Sequence, residues 1–355
     1  VEYVFAEKGG MLFDPAVGAG AFFRAAKFVA KERNLEFSLS GMDIDPNALT
    51  EAIQFGLSQD DMQNVKIGDF LFEPPQKKLF AIVANPPYIR HHRISPNTKE
   101  NLKKLSFENA GIVLDGRAGL HIYFLIRALT LLEHGGRLAF IMPADTCEGK
   151  FANDLWGWII KNFCLDAVIT FAPEASPFPN IDTNPLIFLL RRDLPKDKFV
   201  WAKCQEARTE SLKLWIRSDF SFAPENSIAF IKRDLSEGLQ TGFSRSPVTR
   251  KKSKYVLGDF VRVVRGVATG ANDFFFLTDE QVKSLKIPEE FFVQAIGRTR
   301  DVTTEEITQK TLTSLRRKGR PTHLLFLNGE AFETYPDSLK KYLSEGEKLG
   351  LPKKP

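Results

Sequence analysis

Met11-Leu12-Phe13-Asp14-Pro15-Ala16-Val17-Gly18-Ala19-Gly20 is the stretch from which the fold is read. A short apolar run ends in an acid and breaks into a glycine-containing turn, and residues 21–33 then follow a helical pattern. Strand, tight turn and helix in that order form one unit of an open α/β sheet, whose binding crevice lies at the carboxyl edge of the strands. Glycines in the turn let the backbone pass close under a ligand where a Cβ would stand in the way. The third glycine of the dinucleotide fingerprint is missing, because Phe23 stands in its place, and no Gly-Lys-Ser/Thr follows. A pyrophosphate cradle is therefore disfavoured.

Outward from this unit, short apolar runs at 38–43, 64–68, 79–84 and 137–142 alternate with helical patterns such as 47–57 and 120–132. The helix at 120–132 is expected to stop at Gly135-Gly136. Two further runs, 166–171 and 186–190, are joined by a proline-rich stretch without helical periodicity, so they should pair antiparallel. The fold class is thus α/β, a mostly parallel sheet ending in a hairpin. Around Leu194-Pro195-Lys196-Asp197-Lys198 the alternation stops. We place a domain boundary there, giving a first domain at 1–195 and part of a second, mixed α+β domain at 196–355.

Two more strand ends carry acids. The run at 38–43 leads into Asp43-Ile44-Asp45-Pro46, where Asp43 can accept hydrogen bonds from a ribose diol and Asp45 reads as the N-cap of the next helix. The third run leads into Asp69-Phe70, an acid able to accept from an exocyclic amine beside a ring able to stack. Asp14, Asp43 and Asp69 would then face one crevice.

The run at 79–84 ends in Asn85-Pro86-Pro87-Tyr88, the most specific signal in the chain. The lone pair of an aromatic amine is delocalised into its ring. Two acceptors on its N–H bonds, the Asn85 side-chain oxygen and the Pro86 carbonyl, would favour a pyramidal nitrogen and stabilise the positive charge that develops on methylation. The prolines fix φ and keep that carbonyl aimed. Tyr88 offers a ring on which a base can stack, which helps offset the cost of extracting it from a duplex. The residues themselves imply a flipped planar amine and no more.

With these motifs in hand, the chain resembles the gamma-class DNA amino-methyltransferases of bacterial restriction-modification systems, of the large single-chain type. The resemblance spans nearly the whole chain. It implies a class I S-adenosylmethionine-dependent methyltransferase fold, Rossmann-like, followed by part of a target-recognition domain. It implies S-adenosylmethionine as cofactor, with Asp14, Pro15, Ala16, Gly18, Gly20, Asp43, Ile44, Asp69, Phe70, Asn85 and Phe124 in its site. Phe124 also reads as helix core. Phe178-Pro179 is similar to the family's second aromatic contact, which would sandwich the flipped base against Tyr88. The segment 264–275 is similar to part of the family's recognition domains. The expected reaction is N6 methylation of adenine in double-stranded DNA. Cytosine N4, a protein glutamine amide, an RNA guanine amine and an inactive DNA-binding specificity module are the alternatives. The family's helix upstream of the first motif is expected to be represented only by residues 1–10, and the chain reads as an excerpt of a longer protein.

Composition supports this reading without deciding it. The chain has 355 residues, 43% of them apolar and 26% charged, with a net charge of +5 that suits a polyanion. Length allows two cores, and no long uncharged apolar run suggests a membrane span. Cys147, Cys164 and Cys204 form no CxxC pair, which fits a reducing cytoplasm. Arg90 and Arg93 after the catalytic turn, with Arg250, Lys251, Lys252, Arg262 and Arg265, are the candidate phosphate contacts. His91 and His92 lack partners at ligand spacing, so no metal is expected. The protein is expected to act as a monomer, with a nuclease either in the same full-length chain or in a partner restriction enzyme.

Overall fold

The structure is a computed structural model and describes all residues except 6–8, 179–182, 207, 248–254, 256, 263–268, 299–300, 303–305, 328 and 352–355. Two compact units divide the chain, Val1–Thr249 and Arg250–Pro355.

Nine strands of the first unit form one sheet: β1 (Gly10–Asp14), β2 (Phe37–Asp43), β3 (Val65–Ile67), β4 (Leu79–Ala84), β5 (Leu132–Pro143), β6 (Cys164–Phe171), β7 (Pro185–Arg191), β8 (Lys198–Cys204) and β9 (Ile228–Asp234), in the order 3-2-1-4-5-7-6-8-9. The pairs β3–β2, β2–β1, β1–β4 and β4–β5 are parallel. Strand β7 runs antiparallel to both β5 and β6, the expected terminal hairpin. A central parallel strand must be apolar on both faces, and β4 obeys: Leu79, Ala81, Ile82, Val83 and Ala84 are all buried.

The faces alternate residue by residue. Phe13, Ile82 and Ala84 join one core with α5 (Pro96–Ala110), α6 (Leu120–Leu131) and α7 (Ala152–Asn162). Leu12, Ala81 and Val83 join the other with α1 (Glu2–Phe5), α2 (Ala21–Arg33), Ala52 of α3 (Asn47–Gln54) and Trp215 of α8 (Thr209–Arg217).

Two expectations change. Helix α6 does not run on to Gly135-Gly136; it ends at Leu131 and β5 begins at once. Both glycines lie inside β5, where the register against β4 slips between Leu79 and Ala81. Gly135 takes φ +77°, and a Cβ on Gly136 would stand 3.0 Å from the Leu79 carbonyl oxygen, so they serve a bulge rather than a cap. The sheet also continues past the boundary expected at 195/196: β8 pairs parallel with β6, and β9 pairs antiparallel with β8 at the edge. Phe199 and Trp201 of β8 complete the first unit's core, so the division falls between Thr249 and Arg250 instead.

The second unit contains an antiparallel sheet of β10 (Phe276–Leu277), β12 (His323–Leu325) and β11 (Phe292–Gln294), with a small core of Ile287, Phe291, Leu325, Tyr335 and Leu339.

Candidate active site at the carboxyl ends of the strands

The turn after β1 is held by a network that starts at its own acid. Asp14 is fully buried, and its Oδ1 accepts the Ala16 N–H at 3.0 Å. Its Oδ2 has no partner among the described residues, and burial raises the carboxyl to about 7. Gly18 and Gly20 take φ of +49° and +72°, the left-handed region that favours glycine. The Gly18 N–H donates to Asp43 Oδ2 at 2.7 Å, which ties the β1 turn to the end of β2. Gly41, singled out only as part of the β2 run, makes this possible: a Cβ there would meet Val17 Cγ2 at 2.5 Å and the Asp14 carbonyl oxygen at 2.7 Å.

Asp43 is half-buried, and its Oδ1 accepts the Asp45 N–H at 2.9 Å. Asp45 accepts the Asn47 N–H at 2.9 Å but is not the N-cap expected of it: the cap of α3 is Pro46, and Asp45 stands one residue before it. Ile44 is 71% exposed, an apolar side chain standing free at the strand end. Asp69 accepts the Leu71 N–H at 2.9 Å. Phe70 and Phe124 pack together at 5.4 Å between ring centroids, and Phe13 joins Phe70 at 5.9 Å. At 2% and 7% exposure, both rings belong to the hydrophobic core rather than to an open surface.

Because β1, β2, β3 and β4 are parallel neighbours, Asp14, Asp43, Asp69 and Asn85 follow the same edge of the sheet. Asn85 is exposed there, while Pro86 behind it is buried and Pro87 and Tyr88 are half-buried. The Tyr88 hydroxyl lies 2.7 Å from Asn85 Oδ1 and 3.0 Å from the Ile141 carbonyl oxygen, donating its one hydrogen between them. Burial, with Asp145 nearby, pushes its pKa up, so it stays a donor. Strand β6 has the direction of β5, which puts Phe178, in the connection after β6, at this same edge. Phe178 is half-buried, and Pro179 lies outside the described residues.

Arg90 and Arg93, at the short 3-10 turn His91–Arg93, are exposed, as is Arg262 of the second unit. Arg250, Lys251, Lys252 and Arg265 lie outside the described residues. One residue at this site is not signalled by the sequence: His121, buried on α6 with its ring edge-on to Tyr88.

Residues 31–178 match the Eco57I restriction-modification methylase family, and residues 245–354 match the C-terminal domain of type II methyltransferase M.Eco57I. Type II methyltransferase M.AccI from Acinetobacter calcoaceticus is 24% identical over 340 residues, covering 95% of this chain and 60% of that protein. The chain thus spans less than two thirds of that relative's length. The fold is similar to that of the type IIL restriction-modification enzyme MmeI, solved with DNA, at a TM-score of 0.57 and 13% identity over 95% of this chain and 48% of that one. A type I restriction-modification methyltransferase subunit from Streptococcus thermophilus gives a TM-score of 0.52 and 16% identity over 67% and 54% of the two chains. The chain thus shares the fold of these restriction-modification proteins, a mostly parallel α/β sheet, with a small antiparallel sheet in the second unit.

Proposed function

We propose that the chain carries the catalytic part of a restriction-modification DNA methyltransferase that moves a methyl group from S-adenosylmethionine to the N6 amine of a flipped adenine. One observation carries this reading. Asn85 stands exposed at the end of β4, its oxygen braced by Tyr88, on the edge shared with Asp14, Asp43 and Asp69.

The residues present fit the cofactor. Asp14 Oδ2 is a buried acceptor without a partner among the described residues, and a Cβ on Gly18 would have nothing within 4 Å, so the turn is open at Gly18, while Gly20 makes way for Leu57 of the core. Asp14, Pro15, Ala16, Gly18 and Gly20 would hold it from the β1 turn, Asp43 and Ile44 from β2, and Asp69 from β3, backed by the Phe70 and Phe124 rings of the hydrophobic core. When bound, the cofactor supplies an electrophilic methyl on a sulfonium.

The chain's own groups do the rest. Asn85 Oδ1 keeps a second lone pair beside the Tyr88 hydroxyl bond, and that pair takes one N–H of the target amine. The Pro86 carbonyl takes the other, held in direction by the proline rings. Both acceptors gain strength as positive charge grows on the nitrogen, so they favour the transition state over the bound base. Tyr88 and Phe178 stack the base from two sides. Arg90 and Arg93, with Arg262 and the residues Arg250, Lys251, Lys252 and Arg265, meet DNA phosphates. The second unit serves target recognition. The full-length protein works on double-stranded DNA as a monomer in the cytoplasm, beside a fused or separate nuclease.

Replacing Asn85→Ala lowers turnover by about two to three orders of magnitude, the scale for losing one preorganised hydrogen-bonding group. Cofactor affinity, measured by calorimetry, stays near wild type. A variant that methylates at the wild-type rate removes Asn85 from the mechanism.

A further inference from the structure

Helix α6 brings one more polar side chain to the catalytic turn. His121 is 5% exposed, and neither ring nitrogen has a hydrogen-bond partner among the described residues. Its ring meets Tyr88 edge-on, with centroids 5.7 Å apart and planes at 75°. Burial lowers its pKa to about 4, so the ring is neutral under ordinary assay conditions. The backbone is shaped around it: a Cβ on Gly119 would stand 2.6 Å from the ring's Cε1 and 2.9 Å from Nδ1. The Leu120 N–H donates to the Ile89 carbonyl at 2.9 Å, which fastens the start of α6 to the residue after Tyr88.

An apolar ring would fill this space without burying unsatisfied nitrogens, which carry a desolvation penalty and call for a reason. The reason lies just out of reach. Asp145 Oδ1, on the 3-10 turn after β5, is 3.8 Å from His121 Nε2, beyond hydrogen-bonding distance. Burial raises the Asp145 carboxyl, and the Arg90 guanidinium and the Thr146 N–H oppose that rise. Arg90, His121 and Asp145 line one depression of about 340 Å³ beside the turn. Asp145 is exposed and its carboxylate also accepts the Thr146 N–H, so a DNA phosphate that draws Arg90 away leaves it free to swing the short distance to the His121 N–H.

We infer that His121 is a positioning residue: arriving DNA closes its hydrogen bond to Asp145, and the fixed imidazole sets the attitude of the Tyr88 ring and, through the Tyr88 hydroxyl, of the Asn85 amide. The inference rests on the reading of Asn85 to Tyr88 as the catalytic turn. It separates function from stability in a way a packing role does not. His121→Phe keeps a ring against Tyr88 and removes the two unsatisfied nitrogens.

The test uses the full-length protein, plasmid DNA and methyl-labelled S-adenosylmethionine. In His121→Phe, kcat falls by about 10- to 100-fold, the scale of a mispositioned reacting group. Cofactor KM stays unchanged, and the thermal midpoint stays within about 2 °C of wild type or rises. Asp145→Ala shows the same loss of kcat, and the double variant loses no more than either single one. A His121→Phe protein that turns over at the wild-type rate overturns the inference. So does one whose melting point drops by several degrees, or a double variant whose losses multiply. Wild-type protein that transfers no methyl to DNA instead overturns the underlying reading of the turn, which keeps the two failures apart.

Discussion

Asp14 is an acid held in a place that disfavours its charge, and this makes it testable by pH alone. Its carboxyl is raised from 3.8 to about 7 by burial, so the folded state keeps a proton that the unfolded state has already lost. The contribution of Asp14 to stability is therefore present in full below about pH 4, is lost as pH rises through the interval up to about 7, and then levels off. Asp14→Asn, which cannot ionise, lacks this decline, so its advantage over wild type in denaturant melts is larger at pH 8 than at pH 4. Equal advantages at both values would show that Asp14 is not the titrating group. A cationic or N–H group of the cofactor placed on Oδ2 favours the ionised form, so cofactor affinity rises through the same interval. Asp43 has a second task, since it also holds the Gly18 and Asp45 N–H groups. Asp43→Ala should weaken cofactor binding by about 1.5–3 kcal/mol, which is about 10- to 150-fold. An unchanged dissociation constant would remove it from the site.

Among the elements, the β1 turn and β2 work as one piece because Gly41 lets them touch. In Gly41→Ala the new Cβ meets the Asp14 carbonyl oxygen at 2.7 Å, and backbone yields far less easily than a side-chain tip. We expect a loss of about 1–3 kcal/mol, visible as a lower thermal midpoint, with weaker cofactor binding. A midpoint equal to wild type would contradict the close packing. Elements with a strong pattern can be read directly from the chain: 79–84 and 21–33 are bounded in the structure as their apolar runs and turn residues suggest. Helix α5 is hard to see in the sequence because its apolar face is thin, with Leu102 and Leu105 as its buried large side chains. Its ends are nonetheless signalled, by Ser95 capping the Thr98 N–H before Pro96 and by Gly111 at φ +68°. The glycines after α6 mislead because a helix stop and a strand bulge use the same residue. Strands β8 and β9 fall on the wrong side of the expected boundary because local sequence does not say which sheet a strand joins. Acids and Asn85 at strand ends are legible, since a parallel sheet dictates where strand ends meet. His121 is not, because an unsatisfied nitrogen is a property of three-dimensional surroundings.

For the whole molecule, methyl transfer in the first unit is proposed to draw on phosphate contacts from basic residues of each unit. Neutralising Arg90, Arg93 and Arg262 together should flatten the dependence of DNA affinity on salt, by roughly one unit of slope for each phosphate that then goes unpaired. A slope equal to wild type would remove these residues from the interface. The central claim is chemical and needs the product. Full-length protein incubated with plasmid DNA and methyl-labelled S-adenosylmethionine, followed by identification of the modified base, should yield N6-methyladenine within one sequence context. The Asn85→Ala protein should yield about 100- to 1,000-fold less of it per unit time. Label in cytosine, label only in protein or RNA, or an Asn85→Ala protein as active as wild type would contradict the account.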